Sequence, residues 1–412
     1  MPKKALGHLR ICDFTGQLAG AGATKFMAAF GAQVIRIEDP TRKGKWDILR
    51  GIPPFPDHRR GNELGGAFNN HNVEKLGITL NLKHERGKEL LRELVKISDV
   101  VSENFAAGVL ARLGFDYEEL RSIRDDIIYV SNCGFGHTGP YSRYKTWGPI
   151  VQATSGLTFS NGLPGHEPAG YGYSYMDHTG AYYMAMAIML AIHHRNKTGE
   201  GQWVDVAATE AAGVLNGPAL LDYTVNDRPL RRDGFPDANH SQFPPMAPHN
   251  IYRAEGDDNW VAIACRNETD WNAIQGVIDE DWVRADRFAT LNARLAEESE
   301  LDAQMTTWTS SRDKFAVAAS MQAAIVPASA VQKPQERVDQ DANTEAWGLW
   351  PEIRHRDMGR VRVDGVGTHL SETDWSMANG APTLGEHNRY VLQGLLGVAD
   401  DEFEELQAEG VI

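Results

Sequence analysis

The chain has 412 residues, 42% of them hydrophobic and 24% charged, with a formal net charge of −15 at pH 7. This length allows a large core, in two domains or one elaborated α/β domain, and the composition is that of a globular protein. The charge argues against nucleic acid or any partner held through a phosphate backbone, although a few local Lys and Arg can still hold a small anion.

The start, MPKKALGHLRICDF, has too short an apolar run for a signal peptide and moves directly into strand-like sequence. LRICDF predicts a strand, AGAGATKFMAAFG a small-residue helix and AQVIRIED a second strand. ITLNL, HERGKELLRELVKI and DVVSENF follow as strand, helix and strand, and IIYVSNCGF is a further short apolar run. Strands that alternate with helices indicate βαβ units, a parallel sheet and right-handed crossovers. Within 84–97, Leu90, Leu91, Leu94 and Val95 recur at core-facing spacing.

A helix over 178–195 is apolar nearly all round, which predicts burial on every side. Its apolar run, Ala181 to Ile192, falls short of the ~20 residues that span a bilayer, so no membrane partner is expected. After about Tyr223 the segment NDRPLRRDGFPDANHSQFPPMAPHN is rich in Pro, Asp and Asn and reads as a crossover between domains. Strand-like NWVAIAC and polar helices around 268–322 then form a smaller α+β unit, with EESE at 297–300 as a solvated face. From AIVPASAV the chain returns to strands such as RVRVDGV and closes in helical RYVLQGLL and DEFEELQAE. The expected division is 1–223 for the first part of a large domain, 224–330 for the linker and small domain, and 331–412 for the return to the large one.

Cys12, Cys133 and Cys265 are far apart, lie in apolar runs and show no CxxC spacing. That pattern speaks against a metal or disulfide framework and fits reduced core thiols in a cytoplasmic protein. Gly20 and Gly22 after the first strand, with Glu38 or Asp39 closing the next, form a partial dinucleotide fingerprint. Lys25 occupies the place of the third glycine, so this supports a Rossmann-like turn more firmly than a nicotinamide site. His193 and His194 are expected in the last turn of their helix, where they complement its dipole. Asp177 stands at the entrance of the apolar helix with Gly180 three residues on. An N-cap accounts for an aspartate there as well as any chemistry does.

The order of further blocks adds to this. GAFNNHNVEKLGITLNLKHERGKELL, SDVVSENFAAGVLARLGFDYEEL and SNCGFGHTGPYS precede Asp177, NKTGEGQWVDVAATEA follows it, and APTLGEHNRYVLQGLL closes the chain. From about Leu9 to Ile412 these resemble the family III CoA-transferases, a group that also contains 2-methylacyl-CoA racemases. The resemblance implies an α/β fold whose Rossmann-like large domain is built from both chain ends, a smaller α+β domain, and a homodimer of interlocked chains. It implies transfer of coenzyme A from an acyl-CoA to a free carboxylic acid, with no permanently bound cofactor or metal and Asp177 as the nucleophile. For the coenzyme A substrate it implicates Gln17, Ala19, Leu80, Lys83, Asn104, Phe105, Arg112 and Lys145, with Lys83, Arg112 and Lys145 as phosphate contacts. Two departures stand out. Met176 precedes the aspartate where the family commonly has Gly, and Trp147 and Gly148 occupy the places of the His–Asp pair that racemases use. The second favours transfer over racemisation. A nicotinamide dehydrogenase and a non-catalytic subunit of a heteromeric transferase are the other readings, the last disfavoured by the intact Asp177.

Overall fold

Short runs rich in Ile and Val become the six strands of one sheet: β1 (Arg10–Asp13), β2 (Gln33–Glu38), β3 (Leu76–Thr79), β4 (Val100–Glu103), β5 (Ile128–Cys133) and β6 (Trp203–Ala207). The structure is a computed structural model and describes residues 4–172, 175–233 and 235–412. The start Met1–Lys3, Ser174 before the apolar helix, and Gly234 in the Pro-rich crossover lie outside the described residues. The strand order is β3-β2-β1-β4-β5-β6, and every neighbouring pair runs parallel. β2, β4 and β5 are buried along almost their whole length. Helices cover both faces of such a sheet, which is why its strands read as continuous apolar runs rather than alternating ones.

From β1 the chain builds outward to β2 and β3, then crosses back to place β4 on the other side of β1. The winding reverses there. Loops leaving the carboxyl ends of β1 and β4 therefore diverge, and doubly wound sheets take their ligands in the crevice this leaves.

The α-helices up to Asn226 are α1 (Ala19–Ala29), α2 (Gly66–His71), α3 (Glu85–Lys96), α4 (Val109–Arg112), α5 (Tyr117–Ile123), α6 (Gly148–Thr154), α7 (Leu157–Ser160), α8 (Tyr175–Thr198), α9 (Ala208–Gly213) and α10 (Gly217–Asn226). On one face of the sheet, Leu90, Leu91, Leu94 and Val95 of α3 pack with Ile35, Ile37, Ile78 and Val101. On the other, Ala23 and Met27 of α1 and Ala181, Met184 and Ile188 of α8 pack with Val34, Val100 and Val130. Burying each large aliphatic side chain there is worth roughly 1.5–3 kcal/mol.

The glycines of the partial fingerprint serve this packing. A Cβ on Gly20 would stand 2.5 Å from the Thr15 Cβ, and one on Gly22 would stand 3.1 Å from the Ala181 Cβ. Lys25, in place of the third glycine, is buried and donates to the Asp364 carbonyl at 2.7 Å and to its carboxylate at 2.9 Å.

α8 departs from expectation. It buries Gly180, Ala181, Met184, Ala185, Ile188, Ala191 and Ile192, but Tyr182, Met186 and Leu190 are 62%, 53% and 64% exposed in the single chain. An all-apolar helix has no polar face to announce which side meets the sheet. It also runs on to Thr198, so His193 and His194 fall before its last turn. Among the described residues no helix is long and apolar enough to cross a membrane.

Packing divides the chain into two units. One comprises Met1–Ser160, Ala169–Asp227 and Asn343–Ile412; the other comprises Asn161–Pro168 and Arg228–Ala342. In the first, Phe403 and Leu406 of the closing helix Asp400–Ala408 join the α3 core. The second has an antiparallel sheet of His249–Arg253, Trp260–Ala264 and Ala328–Ala330 around a core that includes Tyr252, Trp271, Phe288 and Met305.

Candidate active site

The loop after β1 carries Gln17 at φ +54°, a left-handed conformation uncommon for a residue with a side chain. Its neighbours hold it there. The Gly16 N–H donates to Asn104 Oδ1 at 2.7 Å, and Asn104 Nδ2 donates back to the Gly16 carbonyl at 3.0 Å. The Gln17 N–H donates to Asp47 Oδ2 at 3.0 Å. Asp47 is fully buried and paired with the fully buried Arg36 at 2.8 Å. Glu38 is consumed in the same network by Arg50 at 2.6 Å and Arg36 at 3.3 Å, so it is not available to a ribose. Buried charges persist only when paired in this way.

β4 ends in Glu103, fully buried, whose carboxylate accepts the Phe105 N–H at 2.6 Å and the Tyr129 hydroxyl at 2.9 Å. Burial, then the adjoining Glu103 charge, pushes the Tyr129 phenol up. His137 Nε2 lies 3.2 Å from Glu103. Burial works against a charge on His137, but contacts with Cys133 and Glu103 outweigh it and lift its pKa to about 10. The Glu103 carboxylate thereby fixes the backbone of the Asn104–Phe105 turn.

These two turns border a cavity of about 480 Å³ lined by Gln17, Ala19, Asn104, Phe105, Asn132, Cys133, Lys145, Trp147, Met176 and Asp177 among others. The wall of Tyr144–Gly148 comes close because Gly134 has no side chain: a Cβ there would stand 2.0 Å from Thr146 Oγ1. Beside this cavity is a slot of about 90 Å³, lined by Phe14, Ile37, Asp39, Trp46, Leu80, Lys83, Phe105 and Leu113. Phe105 lines both, its ring edge-on to Trp46 at 5.5 Å between centroids.

Asp177 lies in the first turn of α8. Burial raises its pKa to about 6, opposed by the helix-end backbone N–H that favours the carboxylate. Met176 beside it is buried in a cluster with Val151, Leu157, Ala208 and Ala212. Gly180 is no steric necessity, since an added Cβ would meet Ala208 at an ordinary 3.7 Å.

Of the residues implicated by resemblance, Gln17, Ala19, Asn104, Phe105, Lys145 and Asp177 line the cavity, and Leu80, Lys83 and again Phe105 line the slot. Arg112, at the end of α4, lines neither; its neighbour Leu113 does. Cys133, expected in the core, is half-buried and lines the cavity. Asp47, Glu103 and Asn132 were not expected. Asp47 sits in the polar stretch TRKGKWDILRG, whose composition marks only a loop.

A half-buried carboxylate thus lines a cavity at the switch point of a parallel sheet, with an apolar slot and a lysine alongside, an arrangement that suits group transfer by an α/β enzyme. The particular group follows from comparison with known proteins. The chain belongs to CoA-transferase family III, whose model matches residues 6–388. It is a CoA-transferase. It is 30% identical to the succinyl-CoA–D-citramalate CoA-transferase of Chloroflexus aurantiacus, over 100% of this chain and 99% of that protein. It is 32% identical to a formyl-CoA:oxalate CoA-transferase of Rhodopseudomonas palustris, covering 99% of this chain and 97% of the relative. A crystal structure of a CAIB/BAIF family protein from Brucella suis superposes with a TM-score of 0.84 at 27% identity, over 96% of this chain and 100% of that one. The reading of Gly20 and Gly22 as a nicotinamide site gives way to this.

Proposed function

We propose that the chain moves coenzyme A between carboxylic acids through covalent intermediates on Asp177. The observation that carries this is the position of Asp177: desolvated, at a helix N-terminus, facing the cavity that Gln17, Asn104 and Lys145 also line. The carboxylate attacks the thioester carbonyl; the C–S bond breaks, giving an acyl–aspartyl anhydride and a CoA thiolate. The thiolate attacks the aspartyl carbonyl and expels the donor acid, leaving an aspartyl–CoA thioester. The acceptor acid then attacks that thioester, the thiolate leaves and returns to the acceptor's carbonyl, and Asp177 is regenerated as a carboxylate. Protons balance without a general base, and the sequence calls on no resident cofactor. Each tetrahedral step places negative charge on an oxygen, which donors lining the cavity stabilise.

Adenine fits the slot between Leu80 and Phe105, with Lys83 beside it for a phosphate; Lys145 and Arg112 supply further positive charge. The Rossmann-like large domain assembled from both chain ends, the 224–330 linker and small domain, an interlocked homodimer and a cytoplasmic location belong to the same proposal. The relatives named above act on D-citramalate and on oxalate, so small dicarboxylic acids head the acceptors to test. The test incubates the protein with an acyl-CoA and no acceptor. A CoA adduct on the peptide carrying Asp177, cleavable by hydroxylamine, is expected; its absence under conditions where transfer proceeds overturns the covalent route.

A further inference from the structure

The turn Thr15–Gln17 is held at three consecutive residues by side chains distant in sequence. Arg36 Nη1 donates to the Thr15 carbonyl at 2.5 Å, Asn104 brackets Gly16 from both sides, and Asp47 Oδ2 takes the Gln17 N–H. The Asp47 carboxylate is the centre of this clamp. Its Oδ2 also accepts from Arg36 at 2.8 Å, and its Oδ1 accepts the Leu49 N–H at 3.0 Å. Gln17 is the residue that gains from it: its backbone is left-handed, which an L-residue adopts only when its surroundings insist. The Gln17 side chain is exposed on the cavity that contains Asp177, and among the described residues its amide has no hydrogen-bond partner. An exposed amide on a left-handed turn, without a partner among the described residues, is open to what enters the cavity.

We propose that Asp47 is a positioning residue for the transfer reaction: fixed by Arg36, it holds Gln17 in the one backbone conformation that presents its amide to the cavity. This rests on the reading of that cavity as the site of transfer. Asp47 itself lines neither the cavity nor the slot, so its effect passes through Gln17.

Asn at position 47 offers one oxygen where three N–H donors converge, and its own amide N–H₂ faces at least one of them. Asp47→Asn is therefore expected to lower kcat about 10- to 100-fold, the range a misplaced group of about an ångström produces, with KM for acyl-CoA changed less than about threefold. The distinguishing measurement is the same substitution in a Gln17→Ala background, where it is expected to slow turnover no further. A merely structural Asp47 slows both backgrounds equally, and that result overturns the proposal. So does an Asp47→Asn protein with wild-type kcat, or a Gln17→Ala protein that turns over like wild type. If Asp47→Asn does not fold, Asp47→Glu keeps the charge on Arg36 but moves the carboxylate by one methylene, and the same two-background comparison decides. Wild-type transfer activity, measured alongside, separates failure of this clamp from failure of the transfer reading itself.

Discussion

Asp177 can be tested on three axes because one physical cause, burial, governs them all. Asp177→Asn removes the attacking carboxylate and should abolish transfer while the protein stays folded; retained transfer by that variant would end the assignment. Ionisation is the second axis. The reactive form is the carboxylate and its pKa is raised to about 6, so kcat/KM should fall about tenfold per pH unit below that value. A profile flat down to pH 4.5 would contradict it. Stability is the third, and the sign follows from linkage. The native state holds the Asp177 proton more tightly than the unfolded chain, so the stability this adds is complete below the ordinary aspartate value of about 4 and is lost as pH rises through about 6. Asn has no charge to desolvate. At pH 7 the Asp177→Asn protein should therefore be more stable than wild type by roughly 1–2 kcal/mol, discounted for partial solvent access, and the difference should close near pH 4 in urea titrations. Lys83 and Arg112 separate similarly. Lys83 lines the slot and Arg112 does not, so Lys83→Ala should weaken CoA binding by ~1.5–3 kcal/mol and Arg112→Ala by clearly less in calorimetry.

The elements differ in how plainly the chain announces them. Parallel strands buried on both faces leave continuous Ile/Val runs, and α3 leaves a Leu90–Leu91–Leu94–Val95 stripe, so the first five strands were legible in the sequence; β6, a half-exposed edge strand with Asp205 in its middle, was not. α8 was legible as a helix, but not its orientation, because Tyr182, Met186 and Leu190 are as apolar as the side that meets the sheet. The lining of the cavity was legible where a residue ends an element or belongs to a motif, as with Gln17, Asn104 and Asp177. Asp47 and Glu103 were not, because what they do depends on partners distant in sequence: Asp47 meets Gln17, and Glu103 meets His137. The glycines give this a test. Gly20→Ala pushes a Cβ to 2.5 Å from Thr15 and 2.8 Å from the Asn104 side chain, so it should destabilise by ~1–3 kcal/mol and disturb the loop bearing Gln17. Gly180→Ala meets only ordinary contacts inside a helix and should stabilise by about 0.5–1 kcal/mol. Thermal melts of the two variants that shift in the same direction would show that space around these glycines is not what selects them.

At the scale of the whole molecule the unanswered surface is apolar. Tyr182 and Leu190 of α8 are more than half exposed in the single chain, as are Leu221, Tyr223 and Val225 of α10. Large apolar side chains exposed in this number on two helices are surface that a protein interface would cover. A homodimer is expected in solution scattering, with twice the 45.5 kDa of one chain at micromolar concentration; a monomer there would count decisively against it. Dilution distinguishes two kinds of dimer. Subunits that meet only through a patch obey mass action and separate as concentration falls. Chains threaded through one another along the Pro-rich crossover at 224–250 cannot separate without unfolding part of that crossover. The interlocked arrangement therefore predicts that mixing two differently tagged preparations yields no mixed dimers over hours at nanomolar concentration, and that exchange begins only in denaturant strong enough to open the fold. Leu190→Asp discriminates further: in a patch dimer it should release folded monomers, whereas in threaded chains it should lower stability while the mass stays that of a dimer. Rapid exchange under native conditions, with the apolar stripe still covered, would leave a dimer but remove the interlock.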